Sequence, residues 1–144
     1  MMSVRAWMVV ASKNHVARGV KEGITQACHG KAAPLKRMKE GDWVICYSPK
    51  LEFEGTEKCQ AFTAIGQVVD GNVFQVDMGQ GFTPFRSKVN FKKCIEVPIH
   101  KMLSKLSLTK TRENWGILFR RGFFEIPIQD FQLIAHEMLG EKIE

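Results

Sequence analysis

The chain has 144 residues, 44% of them hydrophobic and 25% charged, with a net charge of +6. That length fits one domain, expected to span residues 1–144, and the apolar content is enough to bury a self-sufficient core. No apolar run reaches the roughly 18 residues of a membrane span, and MMSVRAWMVVASKNH offers no small-residue cleavage site before charge resumes, so neither a membrane protein nor a secreted one is expected.

Val4–Ala11 (VRAWMVVA) reads as a first strand, apolar enough to be buried on both faces. Ser12-Lys13-Asn14 breaks it, and a helix from about His15 would carry Val16, Val20 and Ile24 on one side, with Ser12 or Asn14 as cap. Gly30 and Pro34 interrupt any helix, so Cys28–Lys39 reads as a loop or a broken helical turn. Gly41-Asp42 turns into a strand over Trp43–Tyr47, which Ser48-Pro49 ends before the polar loop Leu51–Cys59. Ala61–Val69 and Val73–Met78 flank Asp70-Gly71-Asn72 and predict a hairpin. A glycine-rich loop over Met78–Arg86 follows, then a strand over Val89–Val97 broken by Lys92-Lys93, and a short helix from Pro98 to Leu106. Phe131, Ile134, Ala135 and Met138 recur at helical spacing, with Gly140 as the stop. Strands outnumber helices, which predicts an α+β protein with a curved sheet or small barrel flanked by helices.

The charge is unevenly distributed. Residues 1–50 hold nine Lys/Arg against Glu22, Glu40 and Asp42, whereas residues 51–144 hold twelve of each sign. A basic surplus confined to one third attracts polyanions, although a solubilising face accounts for it equally well. Four cysteines (Cys28, Cys46, Cys59, Cys94) without CxxC spacing read as reduced thiols of a cytoplasmic protein.

Catalytic signatures are absent: there is no GxSxG, HExxH, GxxxxGK[ST] or GxGxxG, and no carboxylate pair stands out. Cys28-His29 are adjacent, but sequence neighbours seldom point at each other, so a nucleophile here is the weaker alternative. His15, His29, His100 and His136 have no partner at zinc-like spacing, so no metal and no cofactor is expected. His29, in a glycine-flanked basic loop, is the histidine placed for ligand contact.

Binding of a flat base is better supported. Trp7 belongs to the buried first strand, and Trp43 and Tyr47 share one face of theirs, so all three read as core. Phe82 and Phe85 lie in the Gly/Pro loop and must dock on the core or line a pocket, with Pro84 between them and Arg86 beside them. Ser12, Lys13 and Asn14, at a strand end beside a helix N-terminus, either cap the helix or hydrogen-bond a base edge. Arg120 and Arg121 around Gly122 are a second phosphate contact or the solvated face of a strand.

The run WMVVASKNHVARGVKEGITQACHGKAAPLKRMKEGDWVICYSPK, followed by CQAFTAIGQVV, GFTPFR, EVPI and WGILFRRGFFEI, resembles the EVE-domain proteins of the PUA-like superfamily over about residues 4 to 139. The resemblance implies a mixed, strongly curved β-barrel flanked by helices, and kinship with YTH domains, which hold a methylated base in an aromatic cage. It implies a non-enzymatic reader of a modified or flipped-out base in RNA or DNA. Any effector is then expected to be a separate protein. Ser12-Lys13-Asn14 lies where YTH-like folds place polar contacts to the base. The loop from His29 to Pro34 lies where they place a cage tryptophan, but no aromatic stands there. Gly81–Arg86 takes the place of another wall, with its rings present. The expected site is thus Ser12, Asn14, His29, Phe82, Pro84 and Phe85 for the base, with Lys13, Lys31, Arg86, Arg120 and Arg121 for phosphate. A small-molecule or nucleotide enzyme using Cys28 and His29, and a protein-interaction adaptor using the phenylalanine loop, are the alternatives.

Overall fold

The computed structural model describes residues 3–140. Its elements run β1 (Ala6–Val10), α1 (Lys13–Glu22), β2 (Ile24–Thr25), α2 (Ala32–Lys36), β3 (Trp43–Lys50), β4 (Lys58–Gln75), β5 (Phe85–Phe91) and β6 (Val97–Pro98). A 3₁₀ turn (Ile99–Lys101), α3 (Gly116–Phe119), β7 (Phe123–Ile126) and α4 (Ile128–Leu139) complete the chain. The strands form one sheet in the order β2-β5-β4-β3-β1-β7, with β6 pairing beside β4. β1 runs parallel to β3, from Ala6 opposite Trp43 to Val10 opposite Tyr47, while β7 lies antiparallel on its other side.

This is the expected α+β architecture, with one correction: the sheet is open and not a closed barrel. Its outermost strands, β2 and β7, do not pair with each other among the described residues. Closure needs continuous pairing around the ring, and a two-residue β2 offers too short an edge to continue it.

Side-chain alternation divides the core between the two faces of the sheet. Ala6, Met8, Ile45, Tyr47 and Phe62 pack with the α4 residues Phe131, Ile134, Ala135 and Met138. Trp7, Val9, Val44, Cys46 and Ala64 pack on the opposite face with Val16 of α1 and Leu35 of α2. Strands buried on both faces read as the near-continuous apolar runs seen in β1 and β3. Trp7 is fully buried, stacked on Phe123 at 5.2 Å, and its indole N–H donates to Asp42 Oδ2 at 2.9 Å. The same carboxylate accepts the backbone N–H groups of Arg5 (3.1 Å) and Lys39 (2.9 Å), tying β1 to the turn that starts β3.

Several boundaries differ from expectation. α1 stops at Glu22 because Gly23 adopts a left-handed φ of 71°, so Ile24 opens β2 instead of extending the helix. Asp70-Gly71-Asn72 is not a hairpin turn but an interruption within β4, which pairs with β5 on both sides, Val68 opposite Val89 and Val73 opposite Ser87. The residue types that make tight turns also make bulges, and the distant partner strand selects which one forms. The true hairpin lies at 76–84, closed by Val76 N–H to Pro84 O (3.1 Å) and Met78 N–H to Phe82 O (2.9 Å). Phe85 and Arg86 therefore belong to β5, which ends at Phe91, and the expected strand over Val89–Val97 is displaced. Between Pro98 and Leu106 the helical part is the short 3₁₀ turn Ile99–Lys101, not a helix through Leu106. α4 ends as expected at Gly140, in the left-handed region with φ 72°. No helix among the described residues is long and apolar enough to cross a membrane.

Candidate functional site

The parallel strands β1 and β3 end on the same side of the sheet, where α1 begins. Ala11 N–H donates to Tyr47 O (3.1 Å), Asn14 N–H to Leu51 O (3.0 Å) and Val10 N–H to Gly122 O (2.9 Å), so three chain segments converge there. Three adjoining clefts open around this point. The central one, about 400 Å³, is lined by Ser12, Asn14, His29, Phe53 and Phe82 among others. It continues inward into a cleft of about 220 Å³ holding His15, Arg18, Gln26 and Arg86. It continues outward into one of about 660 Å³ holding Lys50, Gln60, Trp115 and Arg120.

Four of the expected base contacts meet in the central cleft. Ser12 is buried, and its hydroxyl donates to Asn14 Oδ1 at 2.8 Å. Ser12 occupies the N-cap position of α1 without a side-chain capping bond, so the pair is cross-linked across the cleft wall instead of satisfying the helix end. His29 is exposed and meets Phe53 edge to face at 5.8 Å. Phe82 is 47% exposed and Phe53 65% exposed, two large rings with little to cover them.

The other expected contacts fall differently. Phe85 packs against the core on the α1–α2 side and lines none of the three clefts. As the first residue of β5 it alternates inward, so it does not form a pocket wall. Pro84 is buried behind the wall, against Gly30. Lys13 is held in an ion pair with Glu96 Oε1 at 2.9 Å, and that hydrogen-bonded carboxylate pushes its pKa up. Its cation is engaged outside the clefts. Lys31 flanks the start of α2 and is exposed, and Arg121 is exposed with its carbonyl accepting the Cys28 thiol at 3.6 Å. Arg120 lines the outer cleft, in the turn between α3 and β7 and not on a strand face. Arg86 turns inward, with only 12% of its side chain exposed.

The loop bearing His29 is held in a costly conformation. Cys28, His29 and Gly30 have φ of 49°, 62° and 84°, three successive left-handed residues. Non-glycine residues there cost about 1–3 kcal/mol each and concentrate at binding sites. Gly30 is required because a β-carbon would lie 2.5 Å from Pro84 Cβ, and its carbonyl accepts Phe85 N–H at 2.8 Å. The 28–30 turn is thereby clamped to the hairpin that carries Phe82.

The clefts are cationic. Arg18, Lys50, Arg86 and Arg120 line them, and among the described residues Glu22 is the sole carboxylate on any of the three. Glu22 is itself paired with Arg86 at 3.5 Å. His15 is held below its usual pKa by burial, reinforced by Arg18 and Arg86.

Sequence reasoning missed His15, Arg18, Gln26 and Phe53, whereas Trp115, a candidate stacking ring from its residue type, lines the outer cleft. His15, Arg18 and Glu22 at i, i+3 and i+7 do mark one helical face, a readable signal. Phe53 was marked only as a lone ring among Glu52, Glu54 and Glu57.

A mixed α+β module with an aromatic, cationic cleft at the ends of two parallel strands is the class defined by this geometry. The chain belongs to the EVE domain family, whose pattern matches residues 5–137. It is similar to the "UPF0310 protein in gntR 5'region" of Bacillus licheniformis, 48% identical over 128 residues that cover 89% of this chain and 87% of the relative. Its fold is similar to that of the Mmi1 YTH domain, with a TM-score of 0.56 at 11% identity, covering 91% and 92% of the two chains. A second similar structure, of "YTH domain-containing protein mmi1 and RNA complex", has a TM-score of 0.57 at 13% identity, covering 92% of this chain and 82% of that one.

Proposed function

We propose that the protein is a non-catalytic nucleic-acid-binding module that takes one unstacked base into the central cleft. The observation that carries this reading is the pairing of two exposed rings, Phe53 and Phe82, with the polar groups of Ser12, Asn14 and His29 in one cationic cleft. The rings offer stacking surfaces and the polar groups can meet a base edge. Its volume of about 400 Å³ lies within the roughly 300–1,000 Å³ of ligand sites. Arg120 and Lys50 in the outer cleft, with Lys31 nearby in sequence to His29, supply positive charge for the backbone. The RNA complex of a YTH protein with a similar fold supports RNA as the polymer. Against a catalyst built on Cys28 stands the thiol's own contact, which is to the Arg121 carbonyl and not to a base.

The test is fluorescence anisotropy with single-stranded RNA and DNA oligonucleotides, with and without methylated bases, across a salt series. Affinity should fall with log[salt] by about 0.7 per phosphate contact. Phe53→Ala or Phe82→Ala should each cost about 1–3 kcal/mol, roughly 5-fold to 150-fold. Phe85→Ala should act on stability and leave affinity per folded molecule unchanged. No binding to any of these oligonucleotides at low salt would overturn the proposal.

A further inference from the structure

The inner cleft contains two buried polar atoms without hydrogen-bond partners, and they are of opposite sense. Arg86 Nε is a donor and Gln26 Oε1 is an acceptor. Arg86 is nearly enclosed, yet its guanidinium has one long ion pair, to Glu22 at 3.5 Å, and one contact with the thioether of Met78 at 3.2 Å. Sulfur is a weak acceptor, so a group with five N–H donors is buried with one long carboxylate contact as its main partner. Unmet donors on a buried charge are costly, and Arg86, which carries them, lines the cleft. Arg18 and His15 line the same cleft, and Glu22 is the sole carboxylate among its described residues.

We infer that the inner cleft is a subsite for a phosphodiester next to the pocketed base, with Arg86 and Arg18 holding the phosphate. The inference rests on the proposed function for the identity of the ligand, while the anion chemistry stands on the cleft itself. His15, Arg18, Gln26 and Phe82 line both clefts, so a base in the central cleft and its phosphate in the inner one share a wall.

A pH signature follows. The titratable and charged groups that line a cleft together with His15 are Arg18 and Glu22 from its own helix, Arg86 from β5, Cys46 from β3, and Cys28 and His29 from the loop after β2. Burial, and after it the two guanidinium groups, favour neutral imidazole in the free protein. A bound phosphate favours imidazolium, so binding takes up a proton. A phosphodiester suits the measurement because it does not titrate across this range, unlike a phosphate monoester with its second pKa near 6.

The experiment uses the full chain and labelled single-stranded oligonucleotides, either with ordinary linkages or with one neutral methylphosphonate stepped along the strand. For the wild type, one methylphosphonate position should weaken binding about tenfold or more, the loss of a charge-assisted contact. Arg18→Gln and Arg86→Gln should weaken the ordinary oligonucleotide similarly and lose sensitivity at that position. Arg18 is exposed, so its variant reports even if Arg86→Gln fails to fold. Wild-type affinity should rise about tenfold from pH 8 to 5.5, one pKa unit of coupling, and His15→Gln should flatten the profile. Wild-type binding that persists undiminished in Arg18→Gln, with every methylphosphonate position equivalent, overturns the subsite and leaves the proposed function standing. If no oligonucleotide binds but uridine monophosphate does, with the same dependence on Arg18, the subsite stands and the nucleic-acid reading falls. If neither binds, both fall.

Discussion

Gly30→Ala perturbs the contact that clamps the His29 turn to the hairpin. At φ 84° an alanine costs about 1–2 kcal/mol relative to glycine. Its β-carbon would stand 2.5 Å from Pro84 Cβ and 2.8 Å from Pro84 Cα, roughly 1 Å inside the optimum for carbon atoms. Pro84 is buried and its ring is rigid, so the two segments must separate. Separation stretches the 2.8 Å bond from Phe85 N–H to Gly30 O, worth about 1 kcal/mol. With the overpacking itself, a total of about 3–4 kcal/mol is expected. Gly41→Ala is the control: its φ is 85°, yet nothing lies within 4 Å of the added carbon, so only the conformational cost of about 1–2 kcal/mol applies. Urea denaturation of wild type and both variants, compared at a common m-value, isolates the steric part as the difference of about 2 kcal/mol. Equal destabilisation by the two substitutions refutes the reasoning, because it would mean that the Pro84 contact yields without cost. Oligonucleotide affinity should also drop for Gly30→Ala and stay unchanged for Gly41→Ala, since only the first shifts Phe82 relative to His29.

Asp42→Ala should cost about 3 kcal/mol or more in urea denaturation, because it strands the buried Trp7 indole N–H and two backbone donors, and retention of wild-type stability would contradict the role given to that carboxylate. The depressed pKa of His15 makes its contribution pH-dependent: the unfolded chain takes up a proton near pH 6.5 before the folded protein does. The stability difference between wild type and His15→Gln should therefore be at its most favourable to wild type above pH 6.5 and shrink as pH falls, and a difference that grows on acidification would reverse the sign argued here. Burial pushes the Cys46 thiol up to about 12, so iodoacetamide at pH 8 should modify it only through unfolding; rapid native-state labelling located by mass spectrometry would contradict its burial.

Local periodicity and turn chemistry made much of the fold legible. The two-faced apolar run of β1, the core assignment of Trp7, Trp43 and Tyr47, the helix carrying Phe131, Ile134, Ala135 and Met138, and its stop at Gly140 each depend on residues within a few positions of one another. The polar strand exit of Ser12 and Asn14, His29 and Phe82 were legible as site candidates because their residue types are unusual where they stand. Asp70-Gly71-Asn72 shows the limit: the same local preferences serve a hairpin or a bulge, and the pairing of β4 with β5 decides between them. Phe82 and Phe85 are equal candidates in sequence, yet the start of β5 turns one into the core and leaves the other on the cleft.

Membership of the EVE family, the α+β class and the basic bias of the first fifty residues were therefore properties of the sequence by itself. Which cations are available was decided by tertiary structure, because Lys13 is engaged by Glu96, 83 positions away, whereas Arg86 is turned into the inner cleft with one long contact to Glu22, 64 positions away. The cleft, too, joins residues 12, 29, 53 and 82, and the identity of its second aromatic wall, Phe53 instead of Phe85, rests on contacts between loops far apart in sequence. Burial and propensity act on neighbours along the chain, whereas a binding surface is made by segments that meet only once the sheet has formed.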